Sequence, residues 1–134
     1  MRMDHDSNMK TVTLLYPELR DNATYYGPVN DATDDGVTVG NCRDGVLILS
    51  MDDIGNSQTV KVTLQTRAGT TGSWTDVFAE KTYTGTSATN AATYAIPVTD
   101  LKKYCRIKLV ASDGAASTCC ATLTAWDSPK VPVS

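Results

Sequence analysis

Between Thr59 and Arg67 the chain alternates without a break. Val60, Val62, Leu64 and Thr66 fall on one side of an extended backbone, and Lys61, Thr63, Gln65 and Arg67 on the other. Side chains of a strand point alternately to its two faces, so this pattern sets an apolar face toward a core and a polar face toward water. The Gly-containing loop 68–73 then reverses the chain into Trp74, Thr75, Asp76, Val77 and Phe78, which predicts a hairpin.

The rest of the chain repeats the theme in shorter pieces. Residues 12–16 form a first periodic segment, stopped by Pro17, and residues 18–40 are rich in Asp, Asn, Gly and Pro. That stretch is long for a plain loop and predicts edge strands at Tyr25–Tyr26 and residues 37–39, or an excursion that touches a partner. Asp44 and Gly45 turn the chain into Val46, Leu47, Ile48 and Leu49, an unbroken apolar run that suits a strand buried on both faces. A polar tip over residues 85–90 precedes a strand through Tyr94, Ile96 and Val98, and residues 100–103 suit one short turn. Residues 105–109 alternate again, Asp113 and Gly114 turn, and residues 121–126 close the domain. With Thr and Val abundant and no helical segment of ten residues, the fold class is all-β: one β-sandwich or jelly roll over residues 11–127. It is flanked by a flexible N-terminal arm (1–10) and an extended, Pro-punctuated C-terminal tail (128–134), which belongs at a sheet edge or on a neighbour.

Charge and composition exclude several function classes. The 134 residues carry a net charge of −3, and the twelve Lys and Arg are spread along the chain, so the electrostatic basis for nucleic-acid binding is missing. No apolar stretch reaches the length of a membrane span. The first ten residues have no apolar signal region, which predicts folding in the cytoplasm. The single histidine, His5, lies in the arm, so no Ser-His-Asp or Cys-His set can form within the domain. Cys42, Cys105, Cys119 and Cys120 lack the C-x-x-C spacing of zinc or redox sites and read as thiols acting as small hydrophobes, with a disulfide framework as the alternative. If 119 and 120 lie on a strand, at most one of them faces the core. Asp31, Asp34 and Asp35 depart from the alternating ligand pattern of a calcium loop and read as a solvated turn. Asp52 and Asp53 read as turn formers. No catalytic residue, metal or cofactor is expected. Trp74 and Trp126 suit plugs of a sandwich core, with sugar stacking on exposed rings as the alternative.

The alternating strand ending in Leu64-Gln65, its Gly/Ser/Thr loop and the following Trp74-Thr75-Asp76-Val77 resemble a pattern in small virion proteins of tailed bacteriophages. With the later strand 104–109 and the closing strand, the similarity spans roughly residues 45–126 and points to the capsid decoration (cement) class. The intervening loop departs from that class in carrying Gly69-Thr70-Thr71-Gly72 where Asp-Gly is usual. The resemblance implies a non-enzymatic structural protein made in the bacterial cytoplasm. It would sit on the capsid surface, bind the major capsid protein and form a homo-oligomer, a dimer or trimer. Candidate partner contacts are Tyr25, Tyr26, Pro28, Val131, Pro132 and Val133. The alternatives are a tail, fibre or head–tail joining component, or a carbohydrate-binding module.

Overall fold

The computed structural model describes residues 9–28 and 36–127. Ten strands follow one another: β1 (Met9–Arg20), β2 (Ala23–Gly27), β3 (Val37–Thr38), β4 (Asp44–Met51), β5 (Thr59–Arg67), β6 (Thr75–Asp76), β7 (Lys81–Thr84), β8 (Ala92–Val98), β9 (Tyr104–Ala111) and β10 (Ser117–Trp126). They form two antiparallel sheets, a β-sandwich as the alternation required. Sheet A runs β1-β10-β4-β8; sheet B has β9 and β5 at its centre. β2 and β3 lie in line along the free side of β9, and β6 and β7 in line along the free side of β5. Counting each in-line pair as one interrupted strand leaves eight, ordered 1-8-3-6 and 2-7-4-5, which is the jelly-roll arrangement.

The core lies between the sheets. Leu47 and Leu49 of β4, Val60, Val62 and Leu64 of β5, Ile107 and Leu109 of β9, and Leu123 of β10 are all fully buried. Each such side chain contributes about 1.5–3 kcal/mol by leaving water. One flank of the sandwich is closed where β1 meets β2. There the backbone of Gly27 lies so near Leu14 that a Cβ would fall 1.6 Å from the Leu14 carbonyl oxygen. Arg20, only 2% exposed, seals the same corner. Its Nη2 donates to the Tyr16 carbonyl at 2.6 Å, and its guanidinium carbon lies 4.9 Å from the Tyr25 ring centroid.

Several expectations need correction. β1 does not stop at Pro17 but continues to Arg20, because an edge strand tolerates a missing N–H and the register shifts between Leu15 and Glu18. It also opens at Met9, inside the residues assigned to the arm. β4 is not buried on both faces: Leu47 and Leu49 are buried while Val46 and Ile48 are half-buried, since no further layer among the described residues covers the outer side of sheet A. β7, a polar Lys-Thr-Tyr-Thr segment, is a further strand that no hydrophobic alternation marks. Neither tryptophan is in the core; both are half-buried on outer faces. The remainder of the arm, the tail, Asp31, Asp34 and Asp35 lie outside the described residues.

Candidate functional site: the outer face of sheet B

β5 and β9 pair in register Thr63↔Lys108, Gln65↔Arg106 and Arg67↔Tyr104, so the polar sides of two alternating strands face outward together. This overturns the reading that the basic residues are merely scattered. Pairing gathers Lys61, Arg67, Arg106 and Lys108 on one face, opposed there by the Asp76 carboxylate. The linear sequence hides the cluster because its members are about forty residues apart.

Aromatic rings interleave with these cations. Arg106 places its guanidinium carbon 4.3 Å from the Tyr26 ring centroid and 4.6 Å from that of Trp74, and Arg67 lies 4.3 Å from the same indole. Tyr26, Arg106, Trp74 and Arg67 thus form a ladder across the sheet. Trp74 leaves the loop after β5 and reaches Gly36 on the far edge, where a Cβ would sit 2.8 Å from the indole Cη2. Gly36 also has φ of +78°, which glycine adopts without strain. Arg106 is only 8% exposed, and its Nε donates to Gln65 Oε1 at 2.8 Å while Gln65 Nε2 donates to Asp76 Oδ1 at 3.0 Å. Arg67 Nη1 donates to the Gly72 carbonyl and so anchors the loop that carries Trp74. Cation–π contacts between partly buried groups are worth about 0.5–2 kcal/mol. Hydrogen bonds and ring contacts hold the ladder on both sides.

Of the residues anticipated as partner contacts, Tyr26 stands in the ladder and Pro28 follows it, half-buried, after a cis peptide bond. Tyr25 turns the other way. It packs against the core, and its hydroxyl accepts from the Asp21 N–H and donates to the Asp21 carbonyl. Val131, Pro132 and Val133 lie outside the described residues. Asp53 is more than a turn former: its Oδ1 accepts from the N–H groups of both Asn90 and Ala91, tying two loops together.

A concavity of about 470 Å³ opens between the edges of β7 and β8, on the flank opposite the Gly27 corner. Lys81, Thr82, Tyr83, Tyr94, Ala95 and Ile96 line it, with the two tyrosine rings 4.5 Å apart. Burial, and then Tyr94, hold the Tyr83 hydroxyl above its ordinary pKa. Among the described residues no group of three or more His, Cys, Asp or Glu side chains is placed to hold a metal ion.

No protein-family model and no curated protein sequence matches the chain. A solved structure described as "Bacillus endospore appendages form a novel family of disulfide-linked pili" is similar at 7% identity, with a TM-score of 0.46, over 89% of this chain and 88% of that one. A likeness of that order speaks to no function.

The four cysteines are thiols, and they differ sharply in access. Cys42, Cys105 and Cys119 are buried, and burial raises the pKa of each; Cys120 points to the outer face of sheet A and is half-buried. A buried, protonated thiol is a poor nucleophile. In dilute native protein a thiol reagent should therefore modify a single cysteine rapidly, and Cys120→Ser should abolish that fast phase. Three fast-reacting thiols in the native protein would contradict this placement.

Proposed function

We propose that this chain is a non-enzymatic structural protein of a tailed bacteriophage, decorating the capsid by binding the major capsid protein through the outer face of sheet B. The observation that carries the proposal is the ladder of Tyr26, Arg106, Trp74 and Arg67. Tyr, Trp and Arg are the residues most enriched at the energetic centres of protein interfaces, and a rigid set loses little entropy on docking. The flanking Lys61 and Lys108 suit an acidic rim on the partner. The jelly roll supplies a compact support, and its fold alone implies no chemistry. On this reading the protein acts at the virion surface after synthesis in the host cytoplasm, and the segments 1–8 and 128–134 add further small contacts that raise avidity.

The test is co-sedimentation with capsids lacking this protein. Trp74→Ala should weaken binding at least about 30-fold, the effect of losing one central aromatic worth about 2 kcal/mol. Lys61→Glu with Lys108→Glu should also weaken it and flatten its salt dependence. Deleting 1–8 or 128–134 should lower apparent affinity and leave the circular dichroism of the domain unchanged. Wild-type-like pelleting by a folded Trp74→Ala protein would overturn the assignment of this face.

The half-buried tryptophans favour a second reading, a carbohydrate-binding module, with Trp126 standing among the threonines of sheet A. Sugar-sensitive tryptophan emission, abolished by Trp126→Ala, would support it. Inert emission across a glycan panel would remove it.

A further inference from the structure

The outer face of sheet A differs in kind from that of sheet B. By register and exposure it presents Met9, Thr11, Thr13 and Leu19 from β1, and Thr118, Cys120, Thr122, Thr124 and Trp126 from β10. β4 adds Val46, Ile48 and Ser50, and β8 adds Thr93, Ala95 and Pro97. Among these described positions there is no Lys, Arg or Glu, and the carboxylate of Asp44 stands at one end beside Trp126. Hydroxyls pair across strands instead, Thr11 with Thr124 at 3.2 Å and Ser50 with Thr93 at 3.1 Å. The exposed large hydrophobics among the described residues are Met9 (49%), Tyr16 (58%) and Leu19 (62%), and all three belong to β1. Two of them, Met9 and Leu19, register onto opposite ends of this face.

Soluble proteins guard solvated sheet surfaces and edges with charge. A broad β-branched face without it, rimmed by exposed apolar side chains, is a surface built to be covered. We infer that it is covered by a second copy of this chain, sheet A against sheet A about a two-fold axis. The virion resemblance implies a homo-oligomer without naming a surface; the face and the two-fold symmetry come from the composition of sheet A and hold whether or not the partner is a capsid.

Charge selects the occupant. Each copy carries −3, so two copies approach most easily where each presents least charge, which on sheet A is the Asp44 carboxylate at one end. Pairing sheet B with sheet B would set Lys61, Arg67, Arg106 and Lys108 against their own equivalents. Pairing A with B would strip water from the Lys61 and Lys108 ammonium groups without supplying an acidic partner. Only A with A avoids both costs, and an isologous contact needs just this kind of self-compatible surface. The size is adequate. Four strands about 4.8 Å apart and eight residue steps of about 3.3 Å give a face of roughly 500 Å² per copy. The pair then covers about 1,000 Å², the threshold for a biological interface and the size of a weak, concentration-dependent dimer. Side chains of Thr, Val and Ile interdigitate across stacked sheets about 10 Å apart, as in the domain's own core.

The experiment is light scattering of the full chain across a wide concentration range, read beside the alkylation rate of Cys120. The wild type should reach the mass of two chains at high concentration, and its Cys120 should become slower to alkylate as the dimer fills. Thr122→Lys sets two like charges at the stacked faces and should weaken dimerisation at least about tenfold while restoring fast alkylation. Thr11→Lys, on the exposed edge strand, does the same without touching a central strand and serves if Thr122→Lys fails to fold. Lys61→Glu, on the opposite sheet, should leave the mass unchanged. A chain that stays monomeric at every concentration, or a dimer that folded Thr122→Lys or Thr11→Lys leaves intact, would overturn the inference. A dimer broken only by Lys61→Glu would assign self-association to sheet B instead.

Discussion

Gly27→Ala should destabilise the domain by at least about 4 kcal/mol, the largest effect expected of any single methyl group added to this chain. The new Cβ would sit 1.6 Å from the Leu14 carbonyl oxygen, 2.8 Å from the Leu14 carbonyl carbon and 2.9 Å from Ile107 Cγ2. Overpacking a core costs about 1–3 kcal/mol when side chains can turn aside. Here the nearest atoms are backbone, and β1 can yield only by leaving β2. Leu14 is fully buried, Arg20 closes the same corner, and both would be disturbed together. For a domain of this size the melting temperature should fall by roughly 15 °C. Gly69→Ala is the control: a Cβ there meets nothing within 4 Å, and the variant should melt within about 2 °C of wild type. Equal melting temperatures for the two variants would show that β1 and β2 are not packed as described.

The same corner shows why some of this fold was legible from sequence and some was not. β5, β9 and β10 each bury one face of a central strand, so their period-two alternation survives in the residues, and the sandwich followed from it. Edge strands answer to weaker rules. β1 runs through Pro17 because its outer side needs no N–H, and bulged register puts both Leu14 and Leu15 inside, which breaks the alternation. β7 is polar because it borders an open groove, so nothing in Lys-Thr-Tyr-Thr marks it as a strand. The candidate site was half legible. Tyr26 and Trp74 drew attention as aromatics, but Arg67 and Arg106 read as ordinary outward residues of two strands. What unites them is the pairing Gln65↔Arg106 and Arg67↔Tyr104, a register that only tertiary structure supplies. Size alone assigns both tryptophans to the core, whereas Trp74 lies half-buried between two guanidinium groups on the outer face, a placement that size does not reveal.

Raising the pH above 9 should weaken the folded state, with Cys105 as the largest single contributor. Its thiol is buried in the core, and burial pushes its pKa from 9.0 to about 11 against the smaller opposing effects of its hydrogen bond with Thr66 and the charge of Arg43. Below pH 9 both folded and unfolded chains keep this proton, and the thiol contributes no pH dependence. Between pH 9 and 11 the unfolded chain loses the proton while the folded chain retains it, so the unfolded state binds fewer protons and stability falls as pH rises. At about 1.4 kcal/mol per pH unit, Cys105 alone removes about 2 kcal/mol by pH 11. Cys119 and Cys42, also raised mainly by burial, act in the same direction, and Tyr83 joins them above its ordinary value of 10.0. Urea unfolding at pH 8 and pH 10.5, under reducing conditions, measures the effect. Cys105→Ala forfeits a little packing at both pH values, yet its loss between them should be smaller than that of wild type by about 2 kcal/mol. An unchanged loss would mean that the Cys105 thiolate is no costlier in the folded protein than in the unfolded chain. Cys105 is fully buried with its Sγ 3.6 Å from Thr66 Oγ1, so the measurement tests the packing of the two sheets as directly as the titration of the thiol.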